Sequence, residues 1–255
     1  MLDVKNVVEY FLLSLPFGLT LFSVLASSKM TGVGFIKLVS SICFVALALA
    51  AGTHAAVAHW SSPQGITYLI LLTLTGLVYA FHKDERSWFM WLVWIAQIVL
   101  YCYQLLMFHN FYMPIVLFFL SSTLLMGVIT YSMVLGHWYL VVPKLSEKPL
   151  AVGMLITWIV LGLKIIYAAW FVFGNMEFFE TGTTKGAGYM FNWVMLTMRV
   201  GWGYLVIGVM SWFGWRLIRM RSTQSATGIL YAMTFFVLAG ELVSTYLYFK
   251  YGMKI

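Results

Sequence analysis

The chain has 255 residues, 62% of them hydrophobic and 9% charged, with a mean hydropathy of +0.92. A water-soluble fold cannot hide that much apolar surface, so the composition excludes a soluble globular protein and calls for a membrane. The net charge of +7 does not indicate nucleic acid: the basic residues lie in short groups between apolar runs, where anionic lipid and membrane topology account for them.

A helix needs ~20 apolar residues to cross a hydrocarbon core of ~30 Å. Eight stretches qualify. The first covers residues 7–27, with Pro16 expected to kink it. Asp3, Lys5 and Glu9 precede an apolar run longer than a signal-peptide core, so this reads as a retained span. The second covers 35–60, and the tight turn Ser61-Ser62-Pro63-Gln64-Gly65 leads into the third at 66–82. A charged link, His82-Lys83-Asp84-Glu85-Arg86, precedes the fourth at 88–108. The fifth, 113–142, is long enough to require tilt and is followed by a Pro-bounded polar link. The sixth covers 150–174, and residues 175–187 form the longest connection. The seventh, 188–220, ends in Arg216, Arg219 and Arg221; the eighth, 228–251, follows Ser222-Thr223-Gln224-Ser225, whose hydroxyls are expected to cap its first turn.

Lys29, Lys37, Lys83, Arg86, Lys144, Lys148, Arg216, Arg219 and Arg221 follow odd-numbered spans, against Lys5, Lys185, Lys250 and Lys254 on the other side. The positive-inside rule then makes the first group cytoplasmic and puts both termini outside. The expectation is an all-α polytopic bundle of eight transmembrane helices, a single integral domain over 1–255. It would lie in the inner membrane of a bacterium or archaeon. No internal repeat is legible.

The sequence has no phosphate-cradling glycine loop, no H-E-x-x-H, no paired cysteines and no nucleophile elbow. Cys43 and Cys102 fall at opposite depths, so no disulfide is indicated. What remains is a set of ionisable residues at or near membrane depth, where such groups are costly and by default functional. His54 lies among Ala46, Ala48, Ala50, Ala51, Gly52, Ala55, Ala56 and Ala58, small residues that would admit a flat cofactor. It is the first candidate ligand for a haem iron. His54 with His109 on the outer side, or His82 with His137 on the inner, are the pairs that could hold haem b. The plainer alternatives are a neutral, hydrogen-bonded His54 and headgroup-level roles for the other three.

Lys164, Arg199 and Glu241 lie inside spans, each costing about 2.5–3.5 kcal/mol at a helix centre unless paired or wet. Spans seven and eight share a short link, so Arg199 and Glu241 are expected to meet. Their pair is either a structural ion pair or a site where Arg199 holds a quinone oxygen or haem propionate while Glu241 handles protons. Lys164 shows no evident partner, and an unpaired buried ammonium tends to lose its proton, so it joins Glu241 as a candidate for proton handling. Gly201, Gly203 and Gly208 beside Arg199 serve helix packing or make room for a ring.

These residues lead us to expect an electron-transfer subunit, binding b-type haem, quinol or both. It would be a non-autonomous part of a membrane oxidoreductase, working with other membrane or peripheral redox subunits in a respiratory-type complex. An ion- or proton-coupled transporter or channel subunit and a non-catalytic scaffold are the alternatives. Against the transporter stands the lack of paired Gly/Pro interruptions in matching halves.

Overall fold

At membrane depth there is no water to satisfy backbone N–H and C=O groups, so each segment must close its own hydrogen bonds. The computed structural model, which describes residues 2–56, 58–82, 87–142 and 145–255, does this with helices alone among those residues. Lys83, Asp84, Glu85 and Arg86 of the charged link, and Pro143 and Lys144, lie outside the described residues, so three members of the charge count, Lys83, Arg86 and Lys144, do as well.

Among the described residues, eight helices are long and apolar enough to span a membrane. They are α1 (Leu2–Phe22), α2 (Val33–Ala55), α3 (Pro63–Phe81), α4 (Trp88–Phe108), α5 (Met113–Val141), α6 (Lys148–Phe173), α7 (Tyr189–Arg219) and α8 (Thr223–Tyr251). Their boundaries follow local chemistry. Ser62 caps α3 by accepting from Gly65 N–H at 3.1 Å, and Pro63 takes the first turn, where a missing N–H costs nothing. The expected cap of α8 differs: Ser222 makes no side-chain capping bond. Gly252, at φ 73°, ends α8 in the left-handed region that glycine tolerates. α7 is not regular. It is α-helical to Val200, π-helical over Gly201–Val206, and α-helical again from Ile207. Such a π segment widens one turn and is frequent at functional sites.

The packing order shows an organisation that the sequence hides. α1, α2, α3 and α4 pack in a ring, each against the next and α4 back against α1; α5, α6, α7 and α8 form a second ring in the same order. The two four-helix units meet along α1 and α5, with α8 also against α1. At that seam Tyr10 meets Phe119, Ser14 meets Thr123 and Gly18 meets Gly127, three pairs with one constant separation of 109 residues. Small residues four apart on two like-directed helices let the backbones touch: a Cβ on Gly18 would stand 2.3 Å from the Gly127 Cα. Tyr10 O–H donates to the Phe119 carbonyl at 2.8 Å, and the Thr123 hydroxyl donates to Ser14 Oγ at 3.1 Å. So the absence of a repeat expected from the sequence holds for residue identities and fails for architecture. Tyr10, Phe119 and Phe249 cluster around His109, which places the start of α1 and the end of α8 at one end of the bundle, the terminal end.

Candidate functional sites within the two units

In the half of the bundle nearer the terminal end, each four-helix unit brings together a cluster of buried polar side chains with a member from each of its helices. In the first unit these are Glu9, His54, Tyr68 and Gln104; in the second, Ser122, Lys164, Arg199 and Glu241. Antiparallel neighbours bring residues from one helix start and the next helix end to the same height, so the sequence needs only one polar residue per helix to build each cluster.

The second cluster is an ion triad. Glu241 Oε1 receives Arg199 Nη2 at 3.1 Å, and its Oε2 lies 3.3 Å from Lys164 Nζ. Lys164 also donates to Ser122 Oγ at 2.7 Å and Ser121 Oγ at 3.3 Å, and lies 5.3 Å above the Phe118 ring. The expected Arg199–Glu241 contact is present, and the expectation that Lys164 has no partner is corrected. Its partner comes from α8, which packs across α5 rather than following α6 in sequence. The Arg199 guanidinium lies 4.2 Å over the Tyr204 ring, and it crosses the point where Gly203 and Gly240 bring α7 and α8 together. A Cβ on Gly240 would stand 2.4 Å from the Gly203 Cα, so this glycine pair serves close packing. Arg199 Nε and Nη1 are buried and make no hydrogen bond. Two unmet donors on a cation at this depth are costly and invite an acceptor.

Arg199, itself fully buried, is among the residues that form a groove of about 580 Å³ between α6 and α7. Its walls are apolar, with Leu161, Ala168, Phe173 and Leu205 among them, and Tyr204 lies beside Arg199. Phe173 and Leu205 are exposed on the outer surface of the bundle, which in a membrane faces lipid. The groove therefore opens to hydrocarbon.

The first cluster is built around a carboxylate. Glu9 Oε1 accepts from His54 Nδ1 at 3.0 Å and from Tyr68 O–H at 3.2 Å, while Oε2 lies 3.1 Å from Lys5 Nζ. His54 Nε2 lies 3.1 Å from Ser62 Oγ. The Glu9 carboxylate can only accept, so Nδ1 carries the proton it shares with Glu9, and in the neutral imidazole Nε2 then accepts from the Ser62 hydroxyl. Glu9, Tyr68 and Gln104 carry no sequence motif. The available signal was Glu9 level with His54 on the adjacent helix, and Gln97, Tyr101 and Gln104 spaced on one face of α4.

The other histidines have separate settings. His109 is buried, stacked on Phe119 at 4.1 Å and 15°, with Nε2 unbonded; burial pulls its imidazole down to about 4. One residue past the end of α4, His109 is thus enclosed by the bundle rather than set on its surface. His137 is exposed and bonded to the Tyr231 hydroxyl at 2.9 Å, and His82 lines a cavity at the opposite end. For a haem the fit is poor at His54, because both of its nitrogens are already engaged. Among the described residues no three His, Cys, Asp or Glu side chains converge to hold a metal ion. Comparison with models of known protein families, with curated protein sequences and with solved structures returns no match.

Proposed function

We propose that the protein is a quinone- or quinol-binding subunit of a membrane redox assembly, with the second unit as its site. The observation that carries this is the hydrocarbon-open groove beside a buried Arg199 with two unmet donors. A ligand for such a site needs a long apolar chain and a compact oxygen-bearing head. Arg199 lies ten residues inside α7, at a depth of ~15 Å. A phospholipid headgroup stays at the interface, whereas a quinone ring on an isoprenoid tail reaches that depth.

A bound quinone would supply two-electron, two-proton chemistry, with a redox partner subunit exchanging the electrons. The chain's own residues have narrower tasks. Arg199, which stays protonated, donates to a ring oxygen through Nε or Nη1. Glu241 holds Arg199 in place and, with Lys164, forms the pair through which a proton can pass to or from the ring. Ser122 and Ser121 fix the Lys164 ammonium. Apolar walls keep water from the head.

The transporter reading has one observation in its favour, the π segment that follows Arg199, which interrupts α7 where the sequence shows no break. The two readings separate in nanodiscs. Quenching of tryptophan fluorescence by an isoprenyl quinone should saturate in the wild type and weaken at least tenfold in Arg199→Gln, a variant that leaves Lys164 to pair Glu241. Linear, non-saturating quenching in both proteins would reject the quinone site.

A further inference from the structure

The first unit, which the quinone reading does not use, carries a polar seam from one end of the bundle to the other. Gln97, Tyr101 and Gln104 stand at i, i+4 and i+7 on α4, so they share a helix face, and all three are buried. Gln104 Nε2 and Oε1 and the Tyr101 hydroxyl make no hydrogen bond. Buried amides and phenols almost always find a partner, and where protein supplies none, water does. Toward the terminal end, Gln104 neighbours Tyr68, which donates to Glu9. Toward the opposite end, Tyr101 neighbours Thr20 and Thr75, and Gln97 donates to the Thr75 hydroxyl at 3.0 Å.

These residues lead into a cavity of about 130 Å³. Its lining includes Thr20, Ser40, Cys43, Thr75, Gln97 and His82. Its walls are mainly apolar, Val39, Val78 and Trp94 among them, and the hydroxyl and amide groups of Thr20, Ser40, Thr75 and Gln97 give water places to bond. His82 ends α3, so the cavity reaches the end of the bundle opposite the termini. Near mid-depth, Leu47 and Leu71 are fully buried and Phe17 stacks on Tyr101 at 5.2 Å. The seam therefore passes an apolar layer, where Tyr101 is the polar group of α4, with Gln104 one turn nearer the terminal end. Beyond it, Glu9 is joined through His54 and Ser62 on one side and Lys5 on the other to the terminal-end surface.

We propose that the first unit conducts protons across the membrane, along a water file that runs from the His82 cavity past Gln97, Tyr101 and Gln104 to Glu9. Glu9 is the acceptor and donor at the terminal end, with His54 and Lys5 as its exchange partners. The apolar layer makes passage depend on transient water, which limits the rate. No electron transfer is involved, and the path stands whether or not the second unit binds a quinone.

The test uses full-length protein in liposomes with an enclosed pH dye and a valinomycin-set potassium potential. Wild type should move protons several-fold faster than empty vesicles. Gln104→Leu, which swaps an amide for an apolar side chain of similar size, should return the rate to the empty-vesicle level, and Glu9→Gln should do the same. Glu177→Gln, on the exposed connection before α7 and outside both clusters, should leave the rate unchanged, and a thermal midpoint for each variant confirms that it folds. Should Glu9→Gln fail to fold, Gln104→Leu still decides. A wild-type rate equal to empty vesicles, or a folded Gln104→Leu conducting like wild type, overturns the proposal.

Discussion

Glu241→Gln removes one negative charge and leaves two cations facing a neutral amide. In the wild type the carboxylate lies 3.1 Å from Arg199 and 3.3 Å from Lys164, with all three side chains nearly or fully buried. At an effective dielectric of about 20, each attraction at such distances is about 5 kcal/mol before desolvation and the mutual repulsion of the cations are set against it. Lys164 can shed its proton in response, and Arg199 cannot. Removing one partner of a buried pair costs about 3–5 kcal/mol, and we place Glu241→Gln in that range. Lys164→Met should cost about 1 kcal/mol or less by the same reasoning, because Glu241 keeps Arg199 and the new side chain is apolar and of similar length. The assay is equilibrium unfolding in mixed micelles with added SDS, followed by tryptophan fluorescence. A Glu241→Gln cost within about 0.5 kcal/mol of zero, or a Lys164→Met cost larger than that of Glu241→Gln, would refute the triad as the organising contact of the second unit.

Gly18→Leu should separate α1 from α5, since even a Cβ there falls 2.3 Å from the Gly127 backbone; we expect a loss of more than about 2 kcal/mol, while Gly76→Ala, with open space around it, should be near neutral in the same unfolding assay. His109 makes stability fall with acid. The unfolded imidazole protonates near 6.5 and the folded one only near 4, so between those values the unfolded chain binds more protons and stability declines as pH drops, by up to about 3 kcal/mol. His109→Phe, which keeps the stacking, should flatten that slope, and an unchanged slope would show that another group titrates. At the first cluster, His54→Ala leaves Glu9 with Tyr68 and Lys5, so we expect a moderate loss of about 1–3 kcal/mol from the unmet hydrogen bond.

The spans were legible because hydropathy and length nearly determine them, and the Arg199–Glu241 contact because α7 and α8 are consecutive. What the sequence could not convey is which non-consecutive helices touch. Lys164 meets Glu241 only because α8 packs across α5, and no periodicity within α6 points there. Glu9 follows Lys5 by four residues, a spacing that reads as a solvated ion pair until α2 and α3 are packed around it. Ser14 with Gly18 and Thr123 with Gly127 each form a small pair four residues apart, but large apolar neighbours obscure both, and only their contact shows the constant offset of 109. The haem expectation from His54 rested on its small neighbours. In the structure its Nδ1 lies 3.0 Å from Glu9 and its Nε2 3.1 Å from Ser62.

The most direct test of the quinone site is photolabelling in nanodiscs with an isoprenyl quinone that carries a photoreactive group on the ring, followed by mapping of the labelled peptides. The account predicts saturable labelling in α6 and in α7 around Arg199 and Tyr204, displaced by unlabelled quinone and lost in Arg199→Gln. Labelling confined to α1–α4, or labelling that excess quinone does not displace, would contradict it.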